Sequence, residues 1–324
     1  MRSQTSMNTT GTIRQTIATV NNWIENRTES QFAYFMLFPV LLVFSVLALW
    51  PVLYTLETSL YADSFSQFRG EFIGLSNYTE LVTGGRDSVL IRPFIDLGNP
   101  FQSILPVTLM FTAVTVVFAT ILGFVQALVL NGTYRGRSIV RVAVLLPWAV
   151  PIVVQGMIFY LLFIPAGAGT DLVNSLGLMG SQPLNESVTA FAIVSLADIW
   201  VSAPFIALII LAGLQGIDQN LYQVGKVAGA SRWEQFRLIT LPQVMPVLMI
   251  AMLLKSLMSM RVYGLIDATT NCSTVPSLTC GVVGTFNGSL YGTSAALAFI
   301  TAILIGLVSV GYLIKYGNSS TGGI

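Results

Sequence analysis

The chain has 324 residues, 54% of them hydrophobic and 9% charged, with 15 Lys and Arg against 14 Asp and Glu and no histidine. A mean hydropathy of +0.76 marks a chain that crosses a membrane several times and excludes an ordinary water-soluble domain. The net charge of +1 averages over both sides of a membrane, so it names no partner, and no nucleic-acid role is expected.

The first 30 residues lack a continuous apolar core and do not read as a cleavable signal. Ile13, Ile17, Val20 and Ile24, with Trp23 beside them, recur on one face of a short helix. Either that helix lies in the membrane interface or the segment is a solvated linker. Residues 1–30 are therefore expected to form a cytoplasmic segment with an interfacial helix, and residues 31–324 a membrane domain.

Six stretches are long and apolar enough to cross about 30 Å of hydrocarbon as helices. They fall near 33–56, 105–130, 141–164, 188–212, 243–266 and 292–315, so the expected fold is an all-α polytopic membrane protein. Pro39, Pro51, Pro151 and Pro204 lie inside these stretches, where neighbouring helices can satisfy the freed backbone groups. Arg2, Arg14, Arg27, Arg135, Arg137, Lys226, Arg232 and Arg237 gather on one side. Only Arg69, Arg86 and Arg92 lie opposite, all in the long connection at 57–104. The excess of Lys and Arg predicts that both termini and the 218–242 connection are cytoplasmic.

Asp198 lies near the middle of the fourth span, with Trp200 two residues on, and Lys255 near the middle of the fifth, where Lys255, Ser259 and Tyr263 follow i, i+4, i+8. Ionisable groups at that depth are costly unless paired or wet. Two readings stay open: Asp198 and Lys255 pair to hold helices together, or these residues line a pathway in which Trp200 and the hydroxyls hold a sugar.

Between those spans lies a polar interruption, residues 218–242. Asp218 suits an N-cap and Gly229 a C-terminal cap, with Leu221, Val224 and Val227 at helical spacing. Ser231 and Glu234 have the spacing of a capping box, opening a second short helix with Trp233, Phe236 and Ile239 at i, i+3, i+6. The apolar faces either meet a partner surface, pack on the protein's own helix ends, or lie in lipid headgroups.

Cys272 and Cys280 flank a short polar stretch on the side predicted to face outward, where a disulfide would persist; the alternative is two unpaired thiols. In the sixth span Ala298, Ala302 and Gly306 form a small-x3-small series suited to helix packing. No Gly-x4-Gly-Lys-Ser/Thr loop, metal-ligand constellation or nucleophile elbow stands in the sequence, so an enzyme is not expected, nor a metal site or a cofactor bound by this chain.

The 218–242 segment resembles the cytoplasmic loop of the membrane subunits of binding-protein-dependent ABC importers. That family writes it as Glu-Ala-Ala, three residues, Gly-Ala, then Ile-x-Leu-Pro, and here Gly229, Ala230, Ile239, Leu241 and Pro242 stand in register. Trp50 to Ser59, Phe72 to Tyr78, Arg135 to Trp148, Ala197 to Phe205 and Leu211 to Gln215 are similar to the sugar-type permeases in the same order. The resemblance implies six spans, an ATPase-coupling loop at 218–242 (Gln223, Gly229, Ala230, Trp233, Phe236, Leu241, Pro242), and uptake of a sugar or related solute by alternating access. It also implies a second permease subunit, two ATPase subunits that use the ATP and magnesium, an external solute-binding protein, and a place in the cytoplasmic membrane. A secondary transporter or channel working without ATP is the alternative. The sequence departs from the family at Gln223-Val224-Gly225, where Glu-Ala-Ala is expected, and at the Cys272–Cys280 segment, which stands where a Gly-Gly-Pro turn is usual.

Overall fold

A computed structural model describes residues 29–65 and 67–317. The amphipathic segment at residues 13–24 lies outside the described residues. Among those described, regular structure is helical except for one isolated bridge between Tyr61 and Phe72. The chain divides into two units, residues 1–57 and 58–324.

In the first unit, α1 (Glu29–Phe44), a π turn (Ser45–Leu49) and α2 (Trp50–Thr58) make one apolar run. Its large side chains are exposed over nearly the whole length, as expected where hydrocarbon is the solvent. The π turn ends two residues before Pro51, and a second π turn, Phe236–Thr240, ends two residues before Pro242. Proline has no N–H to return to the preceding turn. In both places the helix widens by one residue just upstream, with Trp50 N–H bonding Ser45 O and Leu241 N–H bonding Phe236 O, and then continues.

The second unit is built on α4 (Ile104–Asn131) and α8 (Ser187–Gln215), which pack along their lengths, with α11 (Leu241–Ser259) lying against both. At the end carrying residues 218–242 the packing is made by Ala127, Leu130, Ile210, Leu214 and Val244. At the opposite end it is made by Phe111, Phe191, Val194, Leu265 and Ile266. These are close-packed interior side chains within a molecule whose outward face is also apolar.

The third expected span, 141–164, is not one helix. Α5 (Arg137–Ala149) and α6 (Ile152–Phe163) meet at a bend of 94°. The described residues therefore hold five long apolar helices, and six spans when this bent pair is counted as one. Pro151 fixes its own φ, lacks a donor, and pushes Val150 into an extended conformation (ψ 138°). The break is held by Gln155, whose buried amide donates to Pro147 O (3.0 Å) and Val150 O (2.6 Å). Pro147 O also accepts the Val150 N–H at 3.4 Å, so the Gln155 amide adds a second, shorter bond there and a bond to Val150 O.

The 57–104 connection is folded. It contains α3 (Ser76–Thr83), and Leu81, Leu90 and Phe94 pack with Leu278 and Leu297. Arg86 bridges Asp63 (2.5 Å) and Glu80 (2.9 Å). Asp63 in turn accepts the Thr293 N–H at 3.0 Å, capping α14 (Tyr291–Gly317) from a distant part of the chain. Beyond the bent pair lies the short α7 (Ala168–Ser175).

Candidate functional site

The 218–242 segment is a pair of helices. Asp218 caps α9 (Gln219–Val227) by accepting the Asn220 N–H at 2.9 Å. The helix stops at Gly229, whose φ of +83° is the left-handed conformation that costs a side-chain-bearing residue most. Gly229 N–H returns to Lys226 O (3.1 Å) and Ala230 N–H to Gly225 O (2.9 Å), the paired bonds of a Schellman cap. Ser231 and Glu234 then form a reciprocal capping box opening α10 (Arg232–Gln235). The Ser231 hydroxyl, and then its N–H, hold the Glu234 carboxyl below the ordinary glutamate range.

The second loop helix is not a separate element. Through the π turn at Phe236–Thr240 it runs into α11, so residues 232–259 form one helical rod. Pro242 therefore lies inside the rod, where the π turn just before it accommodates its missing N–H. The two arms touch closely. A Cβ at Gly225 would lie 3.2 Å from Ile239 Cδ1, and Tyr222 and Thr240 share a hydrogen bond of 2.9 Å. Gln235 Nε2 donates to Ala230 O at 2.9 Å across the bend.

This sorts the expected apolar faces. Phe236 packs edge-on against Phe124 of α4 (5.9 Å between ring centres), and Ile239 joins the interior. Leu221, Val224, Val227 and Trp233 remain exposed, Val227 at 91% and Trp233 at 67%. Leu241 is half-buried, Pro242 exposed, and Gln223 exposed on α9.

At the other end of the rod Lys255 and Asp198 form an ion pair between α11 and α8. The Lys255 side chain is 1% exposed and that of Asp198 14%. Ser259, one turn beyond, shares a buried hydrogen bond of 2.9 Å with Thr115 of α4. Ser256 reaches Tyr312 of α14 at 3.3 Å. Tyr263 does not continue this stripe. Α11 ends at Ser259 rather than near 266, and Tyr263 has a non-helical backbone (φ −143°, ψ −67°) before α12 (Gly264–Thr269). Lys255 is thus one turn from its helix end, not at the middle of a span. Trp200 packs on Phe159 of α6, 5.8 Å between ring centres, and together with Tyr263 lies against the cluster around Phe111 and Leu265. Thr115, Phe159 and Tyr312 join the site only through folding. Each reads in sequence as an ordinary residue of an apolar span.

Cys272 and Cys280 are joined in a disulfide. The bridge is no exposed loop staple: Cys280 is 1% exposed inside the core, two residues into α13 (Leu278–Asn287). Ser277 caps α13 by accepting the Cys280 N–H at 3.1 Å, and the Leu278 N–H is taken by Thr108 of α4 at 2.9 Å. Of the small-x3-small series, Ala302 and Gly306 are exposed, and nothing lies within 4 Å of a Cβ at Gly306.

The sequence model of the binding-protein-dependent transport system inner membrane component family matches residues 119–316. The trehalose/maltose transport system permease protein MalF of Thermococcus litoralis is 32% identical, aligning over 88% of this chain and 93% of that one. The trehalose transport system permease protein SugA of Mycobacterium tuberculosis is 28% identical over 91% of this chain and 92% of its own length. A chain of a bacterial ABC transporter importing the acidic polysaccharide alginate shares the fold, with a TM-score of 0.71 at 20% identity over 89% of this chain and 96% of that one. The helix pair with its unpartnered face, the apolar spans and these likenesses lead to one assignment. This chain belongs to the binding-protein-dependent transport system inner membrane component family.

Proposed function

We propose that this permease forms half of the transmembrane pathway of an ATP-driven importer for a sugar of the trehalose/maltose class. It works beside a second permease subunit, two ATPase subunits that bind ATP and magnesium, and an extracytoplasmic solute-binding protein. The relatives named as sugar permeases support the substrate class. A periplasmic protein carrying an alginate pentasaccharide in a related transporter supports the binding-protein partner. In this reading the 218–242 side and both termini face the cytoplasm, and the lipid bilayer surrounds the spans.

The observation that carries the mechanism is the continuity of residues 232–259. A rod of 28 residues spans about 42 Å at 1.5 Å per residue. It presents Trp233 at one end and holds Lys255 against Asp198 near the other. An ATPase that closes on the loop moves the rod, and the rod alters the packing of α8 and α11 around the pathway. Alternating access then requires that each state make different contacts, at the loop and at the pair. Covering Val227 alone contributes about 1.5 kcal/mol or more of apolar burial to the docked state.

The test is uptake of labelled trehalose into proteoliposomes holding the complex that co-purifies with the tagged chain. Uptake is expected to need ATP inside the compartment that the loop faces and the binding protein on the other side. Uptake that persists without ATP while an ion gradient is maintained would establish the secondary-transporter reading instead.

A further inference from the structure

Gln223 stands where the resembled loop motif carries a glutamate, and the fold puts it in the middle of the outward side of α9. Tyr222 and Gly225 turn toward the rod, bonding Thr240 and approaching Ile239, while Gln223, Val224 and Val227 are exposed. The loop's own carboxylates are engaged elsewhere: Asp218 in the α9 cap and Glu234 in the capping box. Lys226, Arg232 and Arg237 are exposed, and none is in an ion pair among the described residues. The outward surface is therefore apolar at its centre, with an uncharged amide among the apolar side chains, and its unbalanced charge is positive.

We infer that the ATPase groove receiving this loop has an apolar floor and an acidic rim and presents no cation to position 223. This rests on the reading of 218–242 as the coupling element. A groove built to receive a carboxylate at 223 would hold a cation opposite it, and an amide would leave that cation buried and unpaired. The same cation would repel Lys226, Arg232 and Arg237 as they approach. An acidic rim meets those side chains with complementary charge, and the amide then needs only a hydrogen-bonding neighbour. The loss of the motif's carboxylate and the three exposed loop cations point to the same partner surface. The chain is matched to a partner with this chemistry and mismatched to ATPases that read a glutamate.

The probe is the ATPase that co-purifies with the tagged chain in mild detergent, identified by mass spectrometry and expressed on its own. Its affinity is measured for the full chain in lipid nanodiscs between 0.1 and 1 M salt, over which the screening length falls from about 10 Å to about 3 Å. Affinity is expected to fall about tenfold or more across that range. Gln223→Glu should weaken binding about three- to tenfold at 0.1 M salt and have little effect at 1 M. The Lys226→Glu, Arg232→Glu double variant should weaken it further with the same salt dependence, whereas Val227→Asn should weaken it equally at both. Gln223→Ala serves as a control for packing on an exposed face. Tighter binding by Gln223→Glu, or affinity indifferent to salt and to charge reversal while Val227→Asn still weakens it, overturns the acidic rim. If Val227→Asn and the charge reversals all leave binding untouched, the loop is not the docking surface, and the reading beneath this one fails with it.

Discussion

Removing one partner of the Asp198–Lys255 pair is expected to be costly, and unequally so for the two partners. Breaking a buried ion pair by deleting one member costs about 3–5 kcal/mol, because the other is left as an uncompensated charge. The structure separates the two cases. Asp198→Asn strands an ammonium whose side chain is 1% exposed, so the full penalty of about 3–5 kcal/mol applies. Lys255→Met strands a carboxylate that is 14% exposed rather than fully enclosed, so the loss should be smaller, about 1–3 kcal/mol. The double variant removes both charges and keeps side chains of similar length, so it should recover most of either loss. Melting of the detergent-solubilised protein reads the stability cycle, and sugar uptake in proteoliposomes reads function. If the pair serves only to hold α8 and α11 together, both readouts recover in the double variant. Should Lys255 or Asp198 also touch sugar, stability recovers and uptake does not. Fully additive losses in both assays would refute the pairing argument, since additivity is the behaviour of independent sites.

Three further outcomes follow from the same geometry. A Cβ at Gly229 has no neighbour within 4 Å, but at φ +83° Gly229→Val strains the backbone by about 1–3 kcal/mol. It should leave membrane insertion and expression intact while abolishing ATP-driven uptake, and normal uptake at normal expression would count against the loop. Gln155→Leu removes the side-chain donor to Val150 O and leaves Pro147 O only its 3.4 Å bond from the Val150 N–H, a loss of about 1–3 kcal/mol that should show as a lowered melting temperature, whereas Gln155→Glu, which cannot donate to both, should be no better. Thiol labelling of denatured, unreduced protein should fail at Cys272 and Cys280 and succeed after reduction; equal labelling in both conditions would remove the disulfide.

The parts legible in sequence were those governed by local chemistry. Asp218, Ser231 and Glu234 announce helix starts because their side chains cap the adjacent backbone, and Gly229 announces a stop because only glycine takes φ +83° without cost. The length and apolarity of the spans follow from the thickness of hydrocarbon. What could not be read was set by three-dimensional geometry, some of it a few residues away and some of it far along the chain. Pro151, a tolerated interior proline in prospect, stands at a 94° break that the Gln155 amide bridges through Pro147 O and Val150 O. Pro51 and Pro242 stay inside helical runs because a π turn precedes each. The stripe through Lys255, Ser259 and Tyr263 assumed a helix that continued, and α11 ends at Ser259. The burial of Cys280 had no local sign at all, since it arises from packing of α13 against α4 and α14.

The two candidate regions are better understood as the two ends of one object. Α8 ends at Gln215, close before the Asp218 that caps α9, and α10 leads without a stop into α11. Α9 is tied to the start of the rod at Gly225 and through Tyr222 and Thr240, and α8 is tied to the far part of the rod by Asp198 and Lys255. The chain from α8 through the loop to α11 is therefore closed by contacts at both ends. In the coupling proposed above, a push on Val224, Val227 or Trp233 would load the ion pair as α11 moved along α8, and a change at the ion pair would reach the loop. A soft connection would dissipate such a displacement. A connection tied at both ends would transmit it and leave the choice between the proposed states to discrete contacts, because packed interiors switch between arrangements rather than deform continuously. The buried pair, costly to desolvate and worth little in net stability, suits a contact of that kind: in the proposed mechanism it would add little to the depth of either state and much to the distinction between them.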